Sequence, residues 1–170
     1  MKKCLLFILA FYLLQTNLHA DSNIINFRMA YEHEKPETFI AYDPNENKLY
    51  VENNSAIQVA DISKVVLIVD KEKPPLWMEQ AAKSTGSEIP YPQIKIEIIF
   101  NKKGKEKFAK VTANNIGKKC AVFINNELLM APVIQEKIES GVAQITTGYT
   151  ESEGRKIVDK INEYIKKNSP

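Results

Sequence analysis

GKKCAVFINNELLMAPVIQEKIESGVAQITT, residues 117–147, is the stretch whose reading decides the fold. Cys120–Ile124 is a short apolar run with the composition of a buried strand. Asn125-Asn126 tolerates positive φ and reverses the chain. Glu127–Met130 then returns as the second strand of a hairpin. Ala131-Pro132 ends that strand, because proline brings no N–H to a ladder. Gly141–Thr146 reads as a third strand that starts on a glycine.

The flanks read just as locally. Ile94–Phe100 alternates, with Ile94, Ile96, Ile98 and Phe100 on one face and Lys95 and Glu97 on the other, the pattern of a half-buried strand. Asn101 follows as the N-cap of a helix over 102–115. Phe108, Val111, Thr112 and Ile116 fall on one stripe of that helix, and Gly117 suits the C′ position. On the other side, Thr150 and Glu153 form a T-x-x-E capping box. Ile157, Val158, Ile161, Tyr164 and Ile165 then keep to one helical face, and Lys166 and Lys167 suit the helix end. Strand, helix, hairpin, strand and helix in that order predict an α+β fold: an antiparallel sheet with helices packed on one face.

Upstream, Ile24–Tyr31 reads as a first strand and Glu32–Glu37, with Pro36, as a loop. Thr38–Tyr42 and Lys48–Glu52 read as two short strands around the turn-formers of Asp43–Asn47. Ile57–Ser63 reads as one helical turn and Val65–Val69 as a buried strand. Asp70–Gln93 differs in kind. It holds Pro74-Pro75, Gly86, Pro90, Pro92 and the only tryptophan, Trp77. Leu76–Lys83 forms a short helix after the prolines. Trp77 either pins this loop to the body or belongs to a partner site.

The chain starts as an export signal does. A basic Met1–Lys3 precedes the apolar run Cys4–Leu14 and a polar end at Ala20, which places signal cleavage after Ala20 and the mature domain at 21–170. The run is too short to span a bilayer, which takes roughly 20 residues. No membrane-spanning stretch follows it. Loss of Lys2 and Lys3, and of no acid, takes 23 basic residues to 21 against 21 acidic ones, so the mature domain is neutral. A neutral exported domain excludes nucleic acid as a partner. Seven lysines and one glutamate between Lys102 and Lys119 leave a helix face (Lys102, Lys103, Lys107, Lys110) for weak contact with a membrane surface, or simply for solvent.

Residues for catalysis are few. After the signal there remain one histidine, His33, in a charged loop, and one cysteine, Cys120, in an apolar run. A metal site wants three or four converging ligands, and Gly104 and Gly117 stand isolated, so no phosphate loop is formed. No cofactor, metal or catalytic group is expected. The alternative is a small exported thiol protein or hydrolase using Cys120.

Gly117-Lys118, Ala121, Ala131-Pro132-Val133-Ile134, Gly141, Ala143 and Ile145 together resemble the signature of the SecD/SecDF family, in its periplasmic head subdomain. The chain departs from it at the turn (Asn125-Asn126 for Asp-Gly), at Met130 and at Ser140-Gly141. The resemblance extends over 48–158 and, weakly, over 24–47. Against the family's shorter connection, 70–93 reads as a loop insertion within a single domain, 21–170. The resemblance implies a stand-alone, exported, non-enzymatic protein-binding module of the periplasm of a double-membrane bacterium. Its implied partners are protein: unfolded preprotein, the Sec translocon or an envelope complex. The surface expected to meet them combines Trp77 with the hairpin edge at Asn125, Asn126, Glu127 and Met130.

Overall fold

The structure, a computed structural model, describes residues 24–86, 89 and 91–168. The signal segment and its cleavage at Ala20 lie outside the described residues. In chain order the elements are β1 (Ile25–Tyr31), β2 (Thr38–Tyr42), β3 (Lys48–Glu52), β4 (Ile57–Gln58), a single 3₁₀ turn (Val59–Asp61) and β5 (Ile62–Asp70). There follow α1 (Leu76–Ser84), β6 (Gln93–Phe100), α2 (Lys102–Asn114), β7 (Lys119–Ile124), β8 (Glu127–Met130), β9 (Val142–Thr147) and α3 (Glu151–Asn168). The fold is α+β, with antiparallel sheets, and the chain divides into two compact units. One holds the described residues up to Asp61 together with Asn101–Gly141; the other holds Ile62–Phe100 and the residues from Val142 onward.

The first unit is built around β1. β7 pairs along one side of it, while β4 (at Asn26 and Phe27) and β3 (at Ala30 and Tyr31) share the other. The sheet runs β2-β3-β1-β7-β8, with β4 beside β1. Alternation along β1 sends Phe27, with Ile25 and Met29, to the face that α2 covers. The Phe27 and Phe108 rings meet edge-on there, 5.7 Å between centroids. The opposite face carries a second buried cluster of Ala30, Leu49, Val51, Ala121, Phe123 and Leu128. Phe39 of β2 lies 6.0 Å from Phe123 of β7 although two strands intervene. In a flat sheet three strand spacings are about 14 Å. The sheet therefore coils until its own strands close over this cluster. Arg28 holds the coil: its Nε donates to Asn26 Oδ1 (2.8 Å), its Nη1 donates to the Glu52 and Asn53 carbonyls, and its guanidinium lies over the Phe39 ring.

α2 starts as its sequence prescribes. Asn101 Oδ1 accepts from the Gly104 N–H at 2.9 Å, while its own N–H and Nδ2 donate to the carbonyls of Asp61 and Ala60. Gly104 is there for space: a Cβ would sit 1.9 Å from the Asp61 carbonyl oxygen. Asp61 itself is buried, with Oδ2 2.7 Å from Lys107 Nζ and 3.1 Å from the Gln58 N–H. Phe108 and Thr112 are buried as the stripe predicts, but Ile116 is 55 % exposed, because the helix ends at Asn114 and the chain turns away. Buried Thr112 uses its Oγ1 to accept from the Ile138 N–H (2.9 Å), which fastens the segment between β8 and β9 to α2.

The β7–β8 hairpin turns through positive φ at Asn125 (51°) and Asn126 (67°). β8 ends at Met130, as Pro132 requires, but the chain soon rejoins β7. The Cys120 N–H donates to the Pro132 carbonyl, and the Ile134 N–H to that of Lys118.

In the second unit β6 is central, between β5 and β9. Ile94, Ile96, Ile98 and Phe100 are all buried, on the face that α3 packs against. Gly154 lets the helix approach, since a Cβ there would meet Leu67 at 2.7 Å and Ile94 at 3.1 Å. Asn162 takes the place of a strand neighbour. Its Oδ1 accepts from the Val65 N–H (2.8 Å) and its Nδ2 donates to the Val65 carbonyl (2.7 Å), which completes the β5 edge at that point. The capping box closes as read: the Thr150 N–H and Oγ1 donate to Glu153 Oε2 at 2.9 and 2.8 Å, and Glu153 N–H donates back at 3.3 Å. β5 is longer than the apolar run, spanning Ile62–Asp70, and the expected helical turn before it shrinks to Val59–Asp61. Among the described residues no helix is long and apolar enough to cross a membrane.

Candidate interaction surface

The hairpin residues stand together at one end of the first unit. Asn125, Asn126 and Glu127 are exposed, and Met130 is half-buried. Leu128, between them, is buried under the Phe123 cluster. β8 has four residues, and its register slips between Val122 and Phe123, which leaves a bulge. A short, bulged edge is poorly suited to accept another strand. The hairpin therefore presents a polar tip more than a pairing edge.

Trp77 belongs to the second unit. It is 67 % exposed and Leu76 before it 76 %, on a helix with no buried residue at all. The Pro75 cap makes no side-chain hydrogen bond. Trp77 does not pin the loop to the body. The Tyr91 hydroxyl does some of that work instead, donating to the Lys71 carbonyl at 2.7 Å.

The two residues considered for chemistry stand in different surroundings. Cys120 is buried, and burial pushes its thiol up to about 12, the reverse of what a nucleophile needs. His33 lines an open pocket of about 360 Å³ between the loop after β1 and the start of β7. Lys119 and Glu32 pair at 3.0 Å on its wall, and the Lys35 ammonium caps the Tyr31 ring at 3.8 Å. Tyr31 donates to Glu52 Oε1 at 2.5 Å, and burial, followed by that bond and the Glu52 charge, raises its pKa to about 12. These groups satisfy one another. Among the described residues no cluster of His, Cys, Asp and Glu is arranged to hold a metal ion. Of the lysines on α2, Lys107 is turned to Asp61, so the basic face is narrower than the sequence spacing makes it.

The sequence marks Thr38–Tyr42 as a strand, with the bounds found, but assigns β2 no part in the surface. Phe39 (37 % exposed), Ile40 (50 %) and Tyr42 (60 %) make it the most apolar exposed strand of the first unit. It forms one end of the sheet, with β3 as its neighbour on one side. The signal was present in the uncharged run TFIAY, which lacks the charge or proline that commonly guards an edge.

Comparison with known proteins places this geometry. A family model described as SecDF, P1 head subdomain, matches residues 77–162. Protein translocase subunit SecD of Calditerrivibrio nitroreducens is 27% identical over 147 residues, which cover 86% of this chain and 26% of that protein. The SecD of Rickettsia conorii is 35% identical over 83 residues, covering 49% and 16%. The chain thus spans about a quarter or less of the length of these curated relatives. Among solved structures, SecDF described as a membrane component that enhances protein export aligns with a TM-score of 0.56 at 17% identity, over 81% of this chain and 61% of that one. SecDF in its super-membrane-facing form aligns with a TM-score of 0.58 at 17% identity, over 84% and 19%. At that identity the likeness is one of fold.

Proposed function

This chain belongs to the SecDF P1 head subdomain family, and on that premise we propose that it is a non-enzymatic protein-binding module of protein export. We place it outside the inner membrane, in the periplasm, in contact with extended polypeptide or the translocon. Its relatives are named as protein translocase subunits, which supports the export role. The observation that carries the binding role is Trp77. A tryptophan left 67 % exposed on a helix that buries nothing adds little to the stability of the fold. Large aromatics are the side chains that most often anchor a protein interface. The tip at Asn125, Asn126, Glu127 and Met130 supplies polar and flexible contacts to the same class of partner.

Trp77 is the only tryptophan, so it reports on its own contacts. Titration with reduced, carboxymethylated α-lactalbumin, a permanently unfolded chain, should shift its emission to the blue and saturate. Trp77→Ala should weaken binding by roughly tenfold, read by anisotropy of the labelled polypeptide. Unchanged emission together with no anisotropy change would remove the polypeptide-binding reading.

A further inference from the structure

The hydrogen-bond register of β2 fixes which of its backbone groups face away from the sheet. The Asn53 N–H donates to the Glu37 carbonyl at 3.0 Å, and the Asp43 N–H to that of Asn47 at 3.1 Å. Between these points the register runs without a slip from Thr38↔Glu52 to Tyr42↔Lys48. Hydrogen-bonded and non-hydrogen-bonded pairs alternate in an antiparallel ladder. Phe39 and Ala41 therefore bond to β3, and Thr38, Ile40 and Tyr42 point both N–H and C=O outward. Among the described residues no strand takes the outer side of β2.

We propose that β2 is the strand to which an extended polypeptide adds, and that the segment it takes has an apolar centre bracketed by basic residues. This rests on the polypeptide-binding reading above and names the edge and the ligand class. Side chains opposite Ile40 and Tyr42 would lie beside Tyr50, on the outer face. Those between would lie beside Phe39, on the inner one. Both faces favour apolar residues over the length of the strand. The ends of β2 are acidic. Glu34 and Glu37 precede it and Asp43 and Glu46 follow. Of the nearby cations, Lys35 lies over the Tyr31 ring, Lys48 over the Tyr50 ring and Arg28 over the Phe39 ring, where its Nη1 is held by the Glu52 and Asn53 carbonyls; four carboxylates at the ends of the strand stand against these three cations. Charge thus selects lysine or arginine at the ends of the incoming segment. It also disfavours a second copy as the occupant: two-fold pairing about Ile40 would set Glu37 of one chain against Asp43 of the other, and like charges placed opposite repel.

The test uses the full chain with the peptide KKVTVYVKK and its counterpart EEVTVYVEE. Hydrogen exchange should slow at the Thr38, Ile40 and Tyr42 amides when the lysine peptide is added, and much less with the glutamate peptide. Ile40→Pro removes one outward N–H and leaves the bonds to β3 in place, so it should weaken the lysine peptide roughly tenfold, while Ile40→Val should not. Binding that shifts Trp77 emission without protecting these three amides would overturn the β2 assignment and leave the wider reading standing. Binding of neither peptide nor unfolded protein would overturn both. Protection that grows with protein concentration alone would assign the edge to a second copy and contradict the proposal.

Discussion

Replacing Gly104 by alanine sets a methyl group 1.9 Å from the Asp61 carbonyl oxygen, so either α2 or the Val59–Asp61 turn must move. On helix propensity alone the change would stabilise by about 1 kcal/mol. Overpacking should reverse the sign, with a net loss of about 2 kcal/mol measured by urea denaturation. A gain would show that the approach of helix to turn is looser than described. Two other residues bear on stability at high pH. Cys120 and Tyr31 are each raised to about 12, from 9.0 and 10.0, Cys120 by burial and Tyr31 by burial first and then by the Glu52 bond and charge. The folded state thus holds these protons more tightly than the unfolded chain. Their contribution is whole below about pH 9 and is lost as pH climbs toward 12. Urea midpoints taken from pH 8 upward should fall over that window, and less steeply in Cys120→Ala. The same shift predicts that the native thiol resists alkylation at neutral pH and reacts once the chain is unfolded. Fast native labelling would revive a thiol chemistry for this protein.

Elements written by local rules were legible in the sequence. The Thr150–Glu153 box, the Asn101 cap and the Asn125-Asn126 turn each depend on residues a few positions apart, and each forms as spelled. Thr150→Ala should cost about 1 kcal/mol in thermal or urea unfolding. Ile116 was misread because periodicity has no way of marking where α2 stops. Asn162 was missed for the opposite reason. It sits where the helix pattern asks only for a half-exposed position, and its partner, Val65, lies 97 residues away. Asn162→Leu keeps the volume and strands both backbone groups of Val65, so a loss of about 2 kcal/mol is expected. A neutral result would mean that water replaces the amide without cost. α1 is legible from its prolines, but the exposure of Trp77 is not, since tryptophan is on average a highly buried residue and one helical turn does not show which side it faces.

For the molecule as a whole, the sequence carried the class of fold and not its wiring. Alternation showed that Ile94–Phe100 was a strand with one buried face, but nothing in it said that β6 would join β5 and β9 while β1 gathered β3, β4 and β7. Those pairings link residues far apart in the chain, and the periodicity of one strand does not name its neighbour. The coiling of the first sheet, seen in the contact of Phe39 with Phe123, was equally hidden. The candidate surface followed the same division. Trp77 and the hairpin tip stand out in the sequence as unusual residues, whereas the uncharged run of β2 gains meaning only once the sheet order leaves its outer side open. The measurement that bears most directly on the account is photo-crosslinking in living cells from position 77, with trapped partners identified by mass. A protein-binding module of export should trap many different precursor chains or translocon subunits. One folded envelope protein trapped alone, with no precursor chain and no translocon subunit, would contradict the export role and leave the family membership standing without it.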